Sequence, residues 1–380
     1  MAKIRITCLA CTAAVFATAL GAAPPGAGHK VHTVRPGQSI QKAVDAAAPG
    51  DTVLLAPGVY HESVEVTTPR LTLRGSGPRT VLEPGANAGK GTADGPPEAH
   101  GKEAGPAEGR REGAEKSADS CAAGGNGICV VGTKGHEVKG VTVASLTVTG
   151  FARAGVYSTY TTDLTVRDVS AVRNTVWGIA QERSIHGVFQ GNTVRDNGDA
   201  GLFIANTVKA EEGAVDTRGT VVEYNRLQGN RTGVTVRRLR DVDVVRNDIT
   251  GNCVGAFVVG DENKPKAGDL VIAYNRIVRN NKSCPKTARL PALQGSGVVL
   301  TGAEQNAVRD NWITDHAGTS PLSGGIVLFK SFVGATNDHN RISDNVLRRN
   351  SPADLVNADT GKDNTFTDNT CRVSKPAGLC

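Results

Sequence analysis

A chain of 380 residues with formal net charge +6, 46 glycines and only 4% aromatic residues is long enough for one extended domain. Its charge is low and scattered, unlike the clustered basic surface of a nucleic-acid binder. Beyond residue 21 nothing approaches the ~18 apolar residues of a membrane span, which argues against stable membrane insertion.

The opening residues, "MAKIRITCLACTAAVFATALG", place Lys3 and Arg5 before an apolar run that ends in small residues near Ala19 and Gly21. This is the layout of an export signal over residues 1–21. A lipid anchor at Cys11 is the weaker alternative, because too little apolar chain precedes the cysteine. Loss of the signal removes Lys3 and Arg5, leaving a charge of +4, and leaves Cys121, Cys129, Cys253, Cys284, Cys371 and Cys380. An even number in an exported chain reads as disulfides. Proximity favours Cys121–Cys129, Cys253–Cys284 and Cys371–Cys380. A metal site would need a C-x-x-C spacing or clustered histidines, and neither is present.

Residues 31–84 read as an amino-terminal cap and the first turns of a repeating domain. Ser39 can cap a short helix whose one face carries Ile40, Ala43, Val44 and Ala47. Pro49-Gly50-Asp51 then turns the chain into "TVLLA", and "LTLRGSG" supplies another strand and turn. Residues 85–120 contain no Val, Ile, Leu, Phe, Tyr or Trp. They are expected to be a disordered low-complexity insertion, fastened on its return by Cys121–Cys129, and an inert loop rather than a lid.

Residues 121–380 repeat. Aligned on Asn192, Asn225, Asn247, Asn275, Asn311, Asn345 and Asn369, the copies lie 22 to 36 residues apart, a unit of about 22 with insertions. Three places before each anchor stand Phe189, Val222, Val244, Ile272, Val308, Ile342 and Phe366; two places after stand Val194, Leu227, Ile249, Ile277, Ile313, Leu347 and Cys371. Five places after come Asn197, Asn230, Asn252, Asn280, His316, Asn350 and Ser374. Strands then begin at Gly127, Gly155, Gly178, Gly201, Gly233, Gly255, Gly297 and Gly325. Short strands at this spacing, without helical periodicity, predict an all-β solenoid of stacked parallel strands, with asparagines at the tight corners forming hydrogen-bonded ladders.

This pattern, with the 33–66 entry segment, resembles the right-handed parallel β-helix superfamily that includes pectate lyases, polygalacturonases and alginate epimerases. The resemblance covers residues 31–84 and 127–373 and implies the fold strongly, with activity left open. The polygalacturonase set "NTD", "DD" and "GHG" is missing, as is the epimerase Tyr followed by Asp-Pro-His. No cofactor is expected. Calcium at Asp241, Asp243 and Asp248 is the alternative, but strand alternation sends Asp248 past a corner. A copper role like that of the β-helix proteins of nitrous-oxide-reductase maturation is disfavoured by one Met and scattered His186, His316 and His339.

With the residue after each glycine inward, Tyr157, Ala180, Phe203, Thr235, Phe257, Val299 and Val327 fall in one outward column too apolar for water. It is expected either to be covered, by 281–296 or 85–120, or to form a sugar-binding groove; cover is favoured. Glu182, Arg183, Arg237, Arg238, Asp261 and Lys330 flank that face. Glu182, Arg183 and Arg237 are the candidate catalytic residues, and Tyr157, Phe203, Phe257, Arg238 and Lys330 the candidate binding residues, a solvated rim being the plain alternative. The reading is of a secreted monomer that binds, and in one version modifies, an acidic extracellular polysaccharide. A non-catalytic wall-associated scaffold is the runner-up.

Overall fold

The computed structural model describes residues 28–85, 120–208, 210–287 and 290–380. The export segment 1–21 and residues 86–119 of the insertion lie outside the described residues. Three parallel sheets run along the molecule, of 13, 10 and 11 strands, and the chain visits the third, first and second sheet in turn on each coil. Registers are parallel throughout, as between Ala154–Thr159 and Trp177–Glu182. The expected solenoid is present. Helix Ile40–Ala46 stands at its amino-terminal end: Ser39 accepts from Lys42 N, and Glu62 accepts from Ile40 N and Gln41 N, so two side chains hold the first turn. Ile40 and Val44 are buried against the first strands.

The two apolar columns of the repeat point inward and form one continuous core, from Phe189 and Val194 through Ile342 and Leu347. The asparagines form two ladders. Asn192, Asn225, Asn247, Asn275, Asn311 and Asn345 each give Nδ2 to Oδ1 of the next, ending on Asn369, at 2.9–3.0 Å. The second runs Asn174, Asn197, Asn230, Asn252, Asn280, His316 and Asn350. It ends not on Ser374, the residue at that repeat position, but on Asp354, which accepts from Asn350 Nδ2 at 2.9 Å.

The strand-start glycines follow from the same stacking. A Cβ on Gly201 would lie 2.7 Å from the Gly233 carbonyl oxygen and 2.8 Å from Asn230 Nδ2. A ladder amide fills the space that any other residue needs. All three expected disulfides are formed.

Removing one rung strands a buried partner. Asn230→Ala and Asn252→Ala should each lower stability by about 1–3 kcal/mol, measured by chemical denaturation. The histidine rung has a sharper consequence. Asn280 Nδ2 donates to His316 Nε2 (3.1 Å), and His316 Nδ1 donates to Asn350 Oδ1 (2.9 Å), so only the neutral ring fits the polarity of the ladder. Burial pushes the imidazole down from 6.5 to about 4, against smaller opposing pulls from Asn350 and Asp315. The unfolded chain therefore binds a proton that the folded chain refuses between those values. Stability should fall as pH drops from about 6.5 to about 4, by on the order of 3 kcal/mol in all. His316→Asn, the residue of every other rung, should flatten that slope in urea titrations at pH 7 and pH 5.

Candidate functional site

The outward column of the third sheet alternates with core residues as the sequence predicts: Val156, Ile179, Leu202, Val234, Ala256, Val298 and Ile326 are all in the core. Over its carboxy-terminal half the column is covered. Phe257 is 3% exposed and packs with Leu293, Leu322 and the Cys253–Cys284 pair. The strap carrying Cys284 and Leu293 is the cover, so Phe257 presents no ring to a ligand and its place among the binding residues is corrected. Phe203 is corrected on similar grounds. It is buried against Trp177, rings stacked at 4.7 Å and 14°, with Val208 alongside.

Two of the cations also have structural work. Arg238 is buried between Asp261 and Glu211 and donates to the Ala210 carbonyl, so it anchors the segment around 210–211 and does not reach a ligand. Arg237 donates to the Val208 carbonyl at 3.4 Å from the far side of that segment. Lys330 is exposed but lies five coils from Glu182, about 24 Å at ~4.8 Å per coil. The charges expected on one rim are thus split into separate places.

What does come together is the amino-terminal part of the face, which the strap carrying Cys284 and Leu293 does not cover and which the segment at Val208 borders. A cleft of about 540 Å³ is lined by Arg153, Tyr157, Tyr160, Glu182, Arg183 and Val208, with the Cys121–Cys129 disulfide on its wall. Tyr157 and Glu182 are outward residues of neighbouring strands, Ala154–Thr159 and Trp177–Glu182. The phenol donates to Glu182 Oε2 at 2.7 Å, and Val208 N donates to Oε1 at 2.8 Å. Burial first, then the neighbouring Glu182 charge, holds the Tyr157 phenol far above its ordinary value. At neutral pH it is a proton donor, and Glu182 is an acceptor with both oxygens engaged.

Two cations frame this pair. Arg153 sits over the rings of Tyr157 (5.8 Å) and Trp177 (5.2 Å) and has no carboxylate in ion-pair reach among the described residues. Arg183 lies over Tyr160 at 5.7 Å and pairs with Glu212 at 3.0 Å. Tyr160 and Arg183 both stand at corners with positive φ, 49° and 48°. Sequence reasoning found Tyr157, Glu182 and Arg183 but missed Arg153 and Tyr160. These two flank the strand at Ala154–Thr159, in the corner positions that the outward columns did not include. An anionic ligand with an apolar ring face matches these donors and aromatic surfaces.

Comparison with known proteins agrees with the architecture. A model of the right-handed β-helix region matches residues 117–269, and one for the periplasmic copper-binding protein NosD matches residues 208–375. The A-module of mannuronan C-5 epimerase AlgE4 from Azotobacter vinelandii superposes with TM-score 0.57 and 19% identity, over 87% of this chain and 89% of that one. The chain is a right-handed parallel β-helix protein. The family 28 exopolygalacturonase of Yersinia enterocolitica (TM-score 0.52, 12% identity, 91% and 76% covered) has the same solenoid. So does the DFA-IIIase of Arthrobacter chlorophenolicus (0.52, 14%, 86% and 87%). At these identities the likeness is one of fold. No curated protein matches the chain by sequence.

The copper-binding description does not fit the donors present. Among the described residues no three His, Cys, Asp or Glu gather as a ligand set. His316 has both ring nitrogens inside the ladder. Of the three aspartates considered for calcium, Asp248 pairs with Arg276 at 2.7 Å and lies past the corner from Asp241 and Asp243. No described helix is long and apolar enough to cross a membrane.

A covered Phe257 is a core residue. Phe257→Ala should lower stability by about 3–5 kcal/mol, read by denaturant titration, and leave ligand affinity in the cleft of the folded fraction unchanged.

Proposed function

We propose that the protein is secreted and binds an acidic extracellular polysaccharide in the cleft on the third sheet. Arg153 is the observation that carries this reading. It is a guanidinium poised over two aromatic rings, with no carboxylate of its own among the described residues, at the mouth of a cleft large enough for a short glycan. Uronate carboxylates suit its forked donors, and sugar rings suit the flanking Tyr157 and Tyr160. The structural neighbours named for mannuronan and polygalacturonate chemistry support the same substrate class by analogy of fold. The cysteine pairs and the amino-terminal signal pattern support export.

Any modification of the bound sugar would draw on Tyr157 and Glu182, the directly bonded phenol and carboxylate lining the cleft, with Glu182 taking a proton from the sugar and the phenol giving one to a sugar oxygen. A non-catalytic binding role is the second reading. It is favoured by Glu182, whose two oxygens are both occupied by internal donors.

Arg153→Gln should weaken binding of short uronate oligosaccharides by at least about tenfold, the loss of one charge-assisted contact, with melting unchanged. Calorimetric titration against galacturonate and mannuronate trisaccharides checks it. Wild-type affinity in that variant would sink the site. Incubating the protein with both polymers while following ultraviolet absorbance and product sugar composition separates lyase or epimerase action from binding alone.

A further inference from the structure

Away from the cleft, the corner between the first and second sheets carries a column of residues just before each ladder asparagine. All are in the left-handed region, with φ of 54–65°. In most coils this position is filled by residues that tolerate it: Asp168, Gly191, Asp310, Asp344 and Asp368. Three consecutive coils break the rule with Tyr224, Arg246 and Tyr274. Bulky side chains carry a conformational cost there; arginine meets it at several other corners of this chain, so at this corner it is the two tyrosines that stand out.

These three stack. Arg246 lies 5.8 Å from the Tyr224 ring centre and 5.4 Å from that of Tyr274. Arg309 of the next coil covers Tyr274 at 5.2 Å and donates to its hydroxyl at 2.8 Å. On the adjoining strand Trp312 carries Arg348 at 5.5 Å. Tyr224, Tyr274 and Trp312 are 45–55% exposed and account for all but one of the exposed aromatic side chains among the described residues; Phe332 is the other. Arg309 is partly neutralised by Asp310 at 2.7 Å, but Arg246 and Arg348 have no carboxylate in ion-pair reach among the described residues. A core has no use for rings left in water, and aspartate serves at this corner in other coils.

We propose that this corner is a second binding surface, which grips a longer stretch of acidic polysaccharide along the solenoid axis. The occupant is set by the chemistry of the surface. Unpaired guanidinium groups held in place by aromatic faces select regularly spaced carboxylates, and the rings beside them offer apolar contact that a bare polyanion does not use. Five coils from Tyr224 to Arg348 span about 19 Å at ~4.8 Å per coil, enough to engage several sugar units at once. The surface rests on the reading of an acidic glycan as ligand and adds avidity to the cleft rather than chemistry.

The test uses the full exported chain and two probes, a uronate trisaccharide and a long polygalacturonate or alginate chain. Tyr224→Asn combined with Tyr274→Asn puts residues at ease with positive φ into the corner, so melting temperature should hold or rise. Affinity for the long chain should fall at least about tenfold, and trisaccharide affinity should not change. Arg246→Gln should reproduce the loss. Long-chain affinity equal to wild type in these variants, while Arg153→Gln loses both probes, overturns the corner surface alone. Trisaccharide binding indifferent to Arg153→Gln, with long-chain binding lost in the corner variants, overturns the cleft alone. Polyglutamate that binds as tightly as the uronate chain, and is lost in the same variants, overturns the assignment to sugar.

Discussion

A buried primary amide has two donors and an acceptor to place, and in this solenoid each one places them on neighbouring coils. Asn225 shows the pattern: Oδ1 accepts from Asn192, one Nδ2 hydrogen goes to Asn247 and the other to the Phe189 carbonyl. An amide left unsatisfied there would cost more than the bond contributes. Coil spacing, corner shape and strand register are therefore fixed together. The glycines that open the third-sheet strands are a result of this, because the ladder amides and the neighbouring carbonyl occupy the space of their side chains. With corners fixed, insertions can leave the solenoid only between them, and it is insertions that make the outer face of the third sheet into covered and open parts.

That division governs where a ligand can go. The strap bearing Cys284 and Leu293 covers Phe257 and turns the outer face into a second small core. The segment ending in Val208 does the same for Phe203 and Trp177. Between these covers and the amino-terminal end, the Tyr157–Glu182 pair and Arg153 remain in a cleft. The disulfide Cys253–Cys284 acts on this arrangement through the cover, since it ties the strap to the coil that the strap shields.

The solenoid was legible in the sequence because its rules are local and repeated. An amide every coil, an apolar residue three before and two after, and a glycine at the strand start each have one physical cause, and repetition makes the cause visible. The alternation that put Val156 in and Tyr157 out was also legible. What covers an outward residue was not. Phe257 and Tyr157 hold equivalent positions in their strands, and only the path of distant insertions decides that one is core and the other lines a cleft. Corner residues were harder still. Arg153, Tyr160, Tyr224 and Tyr274 lie outside the inward–outward alternation, and positive φ leaves no mark in a sequence unless the position holds Gly, Asn or Asp.

The ladders also have a direction. Along each row an amide offers one nitrogen hydrogen to the next rung toward the carboxy-terminal end and its oxygen to the rung before, so the rung-to-rung bonds all point one way along the axis rather than cancel, much as peptide dipoles add in a helix. Each row accordingly finishes in donors. The second ends on the carboxylate of Asp354, and Asn337 likewise gives its nitrogen to Asp359. An acidic side chain at that end plays the part that a cation plays at the carboxy terminus of a helix, with the signs exchanged. The two ends of the solenoid are thus chemically unlike: a further coil added after the last rung would have to bring an acceptor in place of the carboxylate, whereas one added before the first would have to bring a donor.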